Sequence, residues 1–543
     1  MQRQCFPAFI LASCALLLAS LGLHRAAAQD RQIPVWPTTE WQTAAPEDEG
    51  MASSDLAKLV EFGKSLQLDS LLIARHGRIV LEAYYAPYNG ELPHLINSST
   101  KAVVGSLIAM LLKDGTLDSL DHPVLDFFPG GDIANLDERK QAITVRHLLN
   151  MTSGLDWDEG LGGGKEQSLL ELRRSPDWVQ YILDRPMAHA PGETFYYNSG
   201  GSHLLSAIIT KLTGKSAADY ANGQLFGPLG IAAPAWGHDP QGISTGGFGL
   251  WLKPRDMARF GYLYLRGGKW GEQQLLPPDW IEAVNHPATD MRTSFEPGLR
   301  YANQFWALPD RHMYMSVGYH CQVVMVLPNP DIVAVMTARD FCPFRKLVND
   351  MSAAVKSDNA LPAAPDAAAS LAQAVNDAAT EKPSDPGVSS DLMSTVSGKT
   401  YDFPRNPLIF KTVTLFLNAP NPHMTWDLYQ PDAPDGVIRT ESPIALDGLF
   451  RKNAPKNPSA LFAYRAMKGA WRDKQTFVVD LQFIGMGASI NIIVRRGRRE
   501  DAAANSFGKA RVSRDRTTSA PTRIEAARPA SRDRPDISRP ATR

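Results

Sequence analysis

The sequence predicts an α+β fold: an antiparallel β-sheet flanked by helices, a helical insertion within it, and a small C-terminal β domain after it. Three observations lead there. Residues 68–85 alternate about His76-Gly77, a turn dipeptide between two β-rich runs, and read as a hairpin. Residues 322–327 and 332–337, separated by Pro328-Asn329-Pro330-Asp331, read as a second antiparallel pair. The stretch between them carries helical patterns, so strands bracket a helical insertion.

The elements follow in order. Residues 54–66 place Leu56, Leu59, Val60 and Phe62 on one face and predict a helix. Residues 101–112 are almost wholly apolar and end before Gly115, as a buried helix would. Further helices are predicted over 203–212, 255–265 and 344–355. Residues 357–390, rich in Ala, Asp and Pro, read as a linker with room for one helical stretch. From 391 to 494 short alternating segments such as 412–417, 476–483 and 489–494 alternate with Gly, Pro and Asn, giving the small β domain.

At 543 residues the chain is too long for one core. Its formal net charge of -1 conceals an asymmetry, because residues 495–543 carry 14 basic and 6 acidic residues. That tail is poor in large hydrophobes and reads as a disordered, solvated appendage; no nucleic-acid partner is expected. At the other end Arg3 precedes an apolar run over 6–23 and then Ala26-Ala27-Ala28, the pattern of an export signal occupying residues 1–28. Leu11-Ala12-Ser13-Cys14 offers a lipoprotein alternative. No later run reaches the roughly 20 apolar residues of a membrane span. A periplasmic or secreted protein is expected, with the main domain over 29–356. Only Cys321 and Cys342 remain after residue 28, and two cysteines in an exported chain are more often paired than free.

For chemistry, Ser98-Ser99-Thr100-Lys101 leads into the buried helix, and three-residue spacing puts hydroxyl and amine on one face. Apolar neighbours desolvate Lys101, and a helix N-terminus favours charge on the Ser98 oxygen; both activate a serine. Alone, the same residues would read as a helix cap beside a surface lysine. Tyr196-Tyr197-Asn198 precedes a helix on a turn. Tyr196 beside Lys101 would have its pKa lowered and could act as base, while Asn198 could bind a substrate amide or hold Lys101. Gly242-Ile243-Ser244-Thr245-Gly246 matches a nucleophile elbow but lacks the flanking strand and helix. The histidines show no zinc spacing, and there is no Walker or dinucleotide fingerprint, so no metal or cofactor is expected.

Together these residues resemble the penicillin-recognising serine hydrolases, with class C β-lactamases, D-stereospecific peptidases, family VIII esterases and 6-aminohexanoate-dimer hydrolases among them. The ordered matches include Asp118 to Val124, Ile143 to Leu155, Phe195 to Asn198, Phe226 to Gly230, and Gly246 to Gly261, the last most similar to the 6-aminohexanoate-dimer hydrolase and esterase branch. The resemblance implies a β-lactamase/transpeptidase-like fold and a Ser98, Lys101, Tyr196 mechanism on a small amide or ester. It also implies a third element, Lys or His, then Thr or Gly, then Gly. This corresponds to Tyr319-His320-Cys321, with the amides of Ser98 and Gln322 as oxyanion hole. Tyr319 there removes a fixed positive charge that His320 can supply in part, and Cys321 replaces a glycine. A Cys321–Cys342 bridge would direct that sulfur away from substrate. A binding protein that keeps the fold without turnover is the alternative reading, and the altered third element is what favours it.

Overall fold

A computed structural model describes residues 35–159, 166–292, 296–385, 387, 391–403, 406, 409–429, 435–453, 464–486, 488–496, 509–512 and 522–527. The export signal expected over 1–28 lies outside them. Among the described residues no helix is long and apolar enough to cross a membrane.

The first sheet has eight strands: β1 (Leu68–Arg75), β2 (Arg78–Tyr84), β3 (Thr289–Asp290), β4 (Arg300–Ala302), β5 (Phe305–Leu308), β6 (Met313–Gly318), β7 (Gln322–Leu327) and β8 (Ile332–Ala338), in the order β2-β1-β8-β7-β6-β5-β4-β3. Every paired strand is antiparallel to its neighbour. The hairpin at 68–85 and the pair at 322–337 therefore meet in one sheet, where β1 pairs with β8. Strands β7 and β8 are apolar at every step except Gln322 and Thr337, because both faces are covered. Val324, Val326, Val333 and Val335 face the insertion helices, while Val323, Met325, Leu327, Ile332, Ala334 and Met336 face the opposite layer.

Four helices form the frame: α1 (Ser53–Ser65), α2 (Thr100–Asp114), α3 (Ser199–Thr213) and α4 (Pro254–Leu265). Helix α2 is buried from Thr100 to Leu111 and ends at Gly115 in the left-handed region, φ 79°. It packs on α3 inside the insertion. On the other sheet face lie α1, α5 (Phe344–Ala354) and α6 (Pro365–Ala379). Helix α6 falls in the stretch expected as linker. Its Leu371, Ala374 and Ala378 are spaced three to four residues apart and buried in this second core, so the segment is packed structure over that length.

The C-terminal strands form a ten-stranded antiparallel sheet with its own core around Trp426, Phe477 and Val479. Two of its strands, Lys509–Val512 and Thr522–Ala527, come from the tail that composition reads as disordered. Thr522–Ala527 pairs along residues 491–496, a partner strand that a composition argument cannot see. This sheet meets the first unit through an apolar cluster of Tyr88 with Ala466 and Ile484, and at a turn where Leu95 N–H donates to the Gly485 carbonyl at 2.6 Å.

Candidate active site

Ser98 sits on a short connection between buried elements. Ile96 is in the core, Asn97–Ser99 form a 3-10 turn with Asn97 at φ 49°, and α2 begins at Thr100. Two segments hold this turn. Pairing of β5 with β6 stops at Met315, so residues 316–318 of β6 run beyond it. There the Ser99 and Ser316 hydroxyls hydrogen-bond, and Asn97 Nδ2 donates to the Tyr319 carbonyl at 3.1 Å. A Cβ on Gly318 would lie 2.1 Å from the Ile96 carbonyl oxygen, an approach only glycine allows. On the other side Ile96 N–H donates to Leu250 O at 2.9 Å, and Leu250 N–H donates to Thr100 Oγ1 at 3.3 Å.

Lys101 is buried one helical turn after Ser98. Its Nζ lies 3.0 Å from Ser98 Oγ, 2.8 Å from Ser199 Oγ and 2.8 Å from the Gly247 carbonyl oxygen. Desolvation lowers its pKa from 10.5 to about 8, opposed by the Glu159 carboxylate. The Ser199 hydroxyl donates to Glu159, and a carbonyl can only accept, so both of these contacts take N–H donors from Lys101. The remaining position on the nitrogen faces Ser98. In neutral lysine that position is a lone pair.

The tyrosine beside this pair is Tyr197. It is buried, with its ring centroid 4.6 Å from Lys101 Nζ. Burial and then Glu159 push its phenol pKa up. Tyr196, expected in this place, is 45% exposed. Partial burial, then Asp158 and Asp156, raise its pKa, the reverse of the effect expected from a neighbouring lysine. Successive side chains of a non-helical segment project to different sides, so two adjacent tyrosines cannot both face Lys101.

The same one-residue offset applies to Asn198. Its Oδ1 accepts Gly201 N–H at 2.9 Å as the N-cap of α3, and the side chain that touches Lys101 is Ser199. Asn directly before a helical pattern is an N-cap signature, and that signal marks Asn198 as capping. Glu159 carries no sequence signal at all. It accepts from Trp157 Nε1, two residues before it, at 2.8 Å and from Ser199 N–H, forty residues on and brought to it by folding, at 2.6 Å. Gly247 is equally a packing residue, since a Cβ there would sit 2.7 Å from Ser199 Cβ.

The expected third element is displaced by three residues. Tyr319, His320 and Cys321 form the turn joining β6 to β7, with His320 and Cys321 at φ 57° and 60°, and pairing resumes between Gly318 and Gln322. Gln322 thus opens an inner strand, fully buried, its Nε2 donating to His320 O at 3.0 Å and Ala338 O at 2.8 Å. The backbone against the nucleophile turn is that of Gly318 and Tyr319, because β6, not β7, runs alongside Asn97. Cys321 and Cys342 are joined with Cα atoms 5.5 Å apart.

Known proteins share this framework. The Beta-lactamase family model matches residues 57–356, more than half the chain. The chain is 23% identical to the 6-aminohexanoate-dimer hydrolase of Paenarthrobacter ureafaciens over 49% of its own length and 71% of that protein. Against Esterase EstB of Burkholderia gladioli it is 27% identical over 30% of this chain and 44% of the esterase. A solved Bacillus anthracis structure, provisionally named a 6-aminohexanoate-dimer hydrolase, matches with TM-score 0.50 at 22% identity, covering 61% of this chain and 91% of that one.

Proposed function

We propose that this chain, which belongs to the beta-lactamase family, is an exported hydrolase that cleaves small carboxylic esters or amides through an acyl-enzyme on Ser98. One observation carries the reading: Lys101 is desolvated, and its other contacts leave a single position on Nζ, aimed at Ser98 Oγ 3.0 Å away.

The steps follow from that geometry. Neutral Lys101 takes the hydroxyl proton as Ser98 Oγ bonds to the substrate carbonyl carbon. The oxyanion forms toward the amides of Ser98 and Tyr319, since Gly318 brings the β6 backbone to the turn. Tyr197, buried with its ring centroid 4.6 Å from Lys101 Nζ, passes the proton to the departing alcohol or amine as the carbon–heteroatom bond breaks. Its raised pKa suits a donor and relay better than a resident phenolate. Water then attacks the ester carbonyl, gives up a proton along the same groups, and releases the acid with Ser98 restored.

The binding-only alternative drew its support from an altered third element. Gly318 at the nucleophile turn supports turnover instead. A fluorophosphonate probe should label wild type and leave Ser98→Ala unlabelled, and a panel of nitrophenyl esters, aminohexanoate oligomers, nitrocefin and D-amino acid amides ranks the substrates. Equal labelling of both proteins would overturn the role given to Ser98.

A further inference from the structure

Exposed large hydrophobic side chains are few among the described residues, and two of them touch each other beside the nucleophile turn. Tyr319 is 50% exposed and Phe341 62% exposed. Tyr319 and His320 stack with ring centroids 3.9 Å apart at 30°, and Phe341 stands edge-on to both, at 5.6 Å and 88° from Tyr319 and 6.0 Å and 84° from His320. The three rings form two walls of an open corner.

The corner is held from three directions. Asn97 Nδ2, one residue before Ser98, donates to the Tyr319 carbonyl at 3.1 Å. The Cys321–Cys342 bridge joins the residue after His320 to the residue after Phe341, which fixes the two walls to one another. Both His320 and Cys321 occupy the left-handed region that side chains other than glycine adopt only under constraint, so the turn is shaped to present its rings. Neither Tyr319 nor Phe341 is needed to fill the core, because each leaves half or more of its surface in water.

We infer that Tyr319, His320 and Phe341 form a substrate subsite that takes an uncharged aromatic group attached next to the scissile carbonyl. This rests on the Ser98 hydrolase reading and names its substrate class: aryl-bearing esters and amides. A flat ring can stack on one wall and meet the other edge to face, the two arrangements that aromatic pairs prefer. The Tyr319 amide faces the oxyanion in the proposed mechanism, so its side chain begins within one residue of the reacting carbon.

The experiment uses the full chain and two matched pairs of esters. Phenylacetyl against cyclohexylacetyl esters of one alcohol place the ring on the acyl side; benzyl against cyclohexylmethyl acetates place it on the leaving side. In wild type one pair should show a kcat/KM ratio of about tenfold in favour of the aryl member, as two ring contacts predict. The ratio should fall toward one in Phe341→Ala, and also in Cys342→Ser, where the walls are no longer joined. A ratio of one in both pairs, or a preference that survives Phe341→Ala, overturns the subsite while leaving the hydrolase reading intact. If no ester is cleaved and the fluorophosphonate probe fails to label Ser98, the hydrolase reading fails instead. The corner is then read by saturation-transfer NMR with N-benzylacetamide against N-butylacetamide: a ring signal present in wild type and lost in Phe341→Ala supports it, and equal signals in both proteins overturn it.

Discussion

The hydroxyl of Ser199 accepts from Lys101 Nζ at 2.8 Å while donating its own proton to Glu159. The direction of that pair of hydrogen bonds is fixed by the carboxylate, and through it the orientation of the lysine nitrogen toward Ser98.

This orientation predicts the pH dependence. Lys101 must lose a proton before it can accept one, and its pKa is lowered to about 8, so kcat/KM should rise with pH through a limb near 8. Glu159 favours the ammonium form, so Glu159→Gln should move the limb below 8 and lower kcat by loosening Ser199. The sign for stability is the same. A lysine depressed from 10.5 to about 8 binds fewer protons folded than unfolded between those values, so its contribution is fully present above 10.5 and is lost as pH falls through 8. A pH–rate profile of both proteins checks it; an unmoved limb in Glu159→Gln would remove Glu159 from the network.

The two adjacent tyrosines should separate cleanly. Tyr197→Phe loses the phenol that stands beside Lys101 and should lower kcat by about 10² to 10⁴. Tyr196→Phe changes a half-exposed phenol and should stay within about threefold of wild type. Steady-state kinetics on the two variants decide the assignment, and the opposite ranking would return the role to Tyr196.

Asn198 and Ser199 should divide stability from catalysis. Asn198→Ala removes the N-cap of α3 and should lower stability by about 1 kcal/mol. Ser199→Ala removes the acceptor that positions Lys101, and a misplaced base should reduce kcat by about 10² with a smaller change in melting temperature. Melting curves and kinetics on the same preparations provide the comparison.

The C-terminal sheet should matter to catalysis through one turn. Gly485 lies at φ 76°, and a Cβ there would come within 2.2 Å of the Pro93 carbonyl oxygen, beside the Leu95 amide that bonds its own carbonyl. Gly485→Ala must therefore shift the strand that leads into Ser98, and kcat/KM should drop by about tenfold or more. Wild-type kinetics in that variant would show that the contact only tethers the sheet.

The sequence alone determined the elements whose cause is local. The hairpin about His76-Gly77, the buried helix ending at Gly115 and the apolar strands β7 and β8 follow from periodicity and turn chemistry, and the Ser98, Lys101 pair follows from three-residue spacing on one helix face. Only the tertiary structure decided which tyrosine turns inward, that Asn198 caps while Ser199 touches Lys101, and that Gly318 rather than Cys321 is the close-approach residue. It also decided that Glu159, fifty-eight residues from Lys101 in the chain, stands behind the site. The reason is physical: side-chain direction outside regular elements depends on what packs against each face, and contacts between distant segments leave no spacing to read.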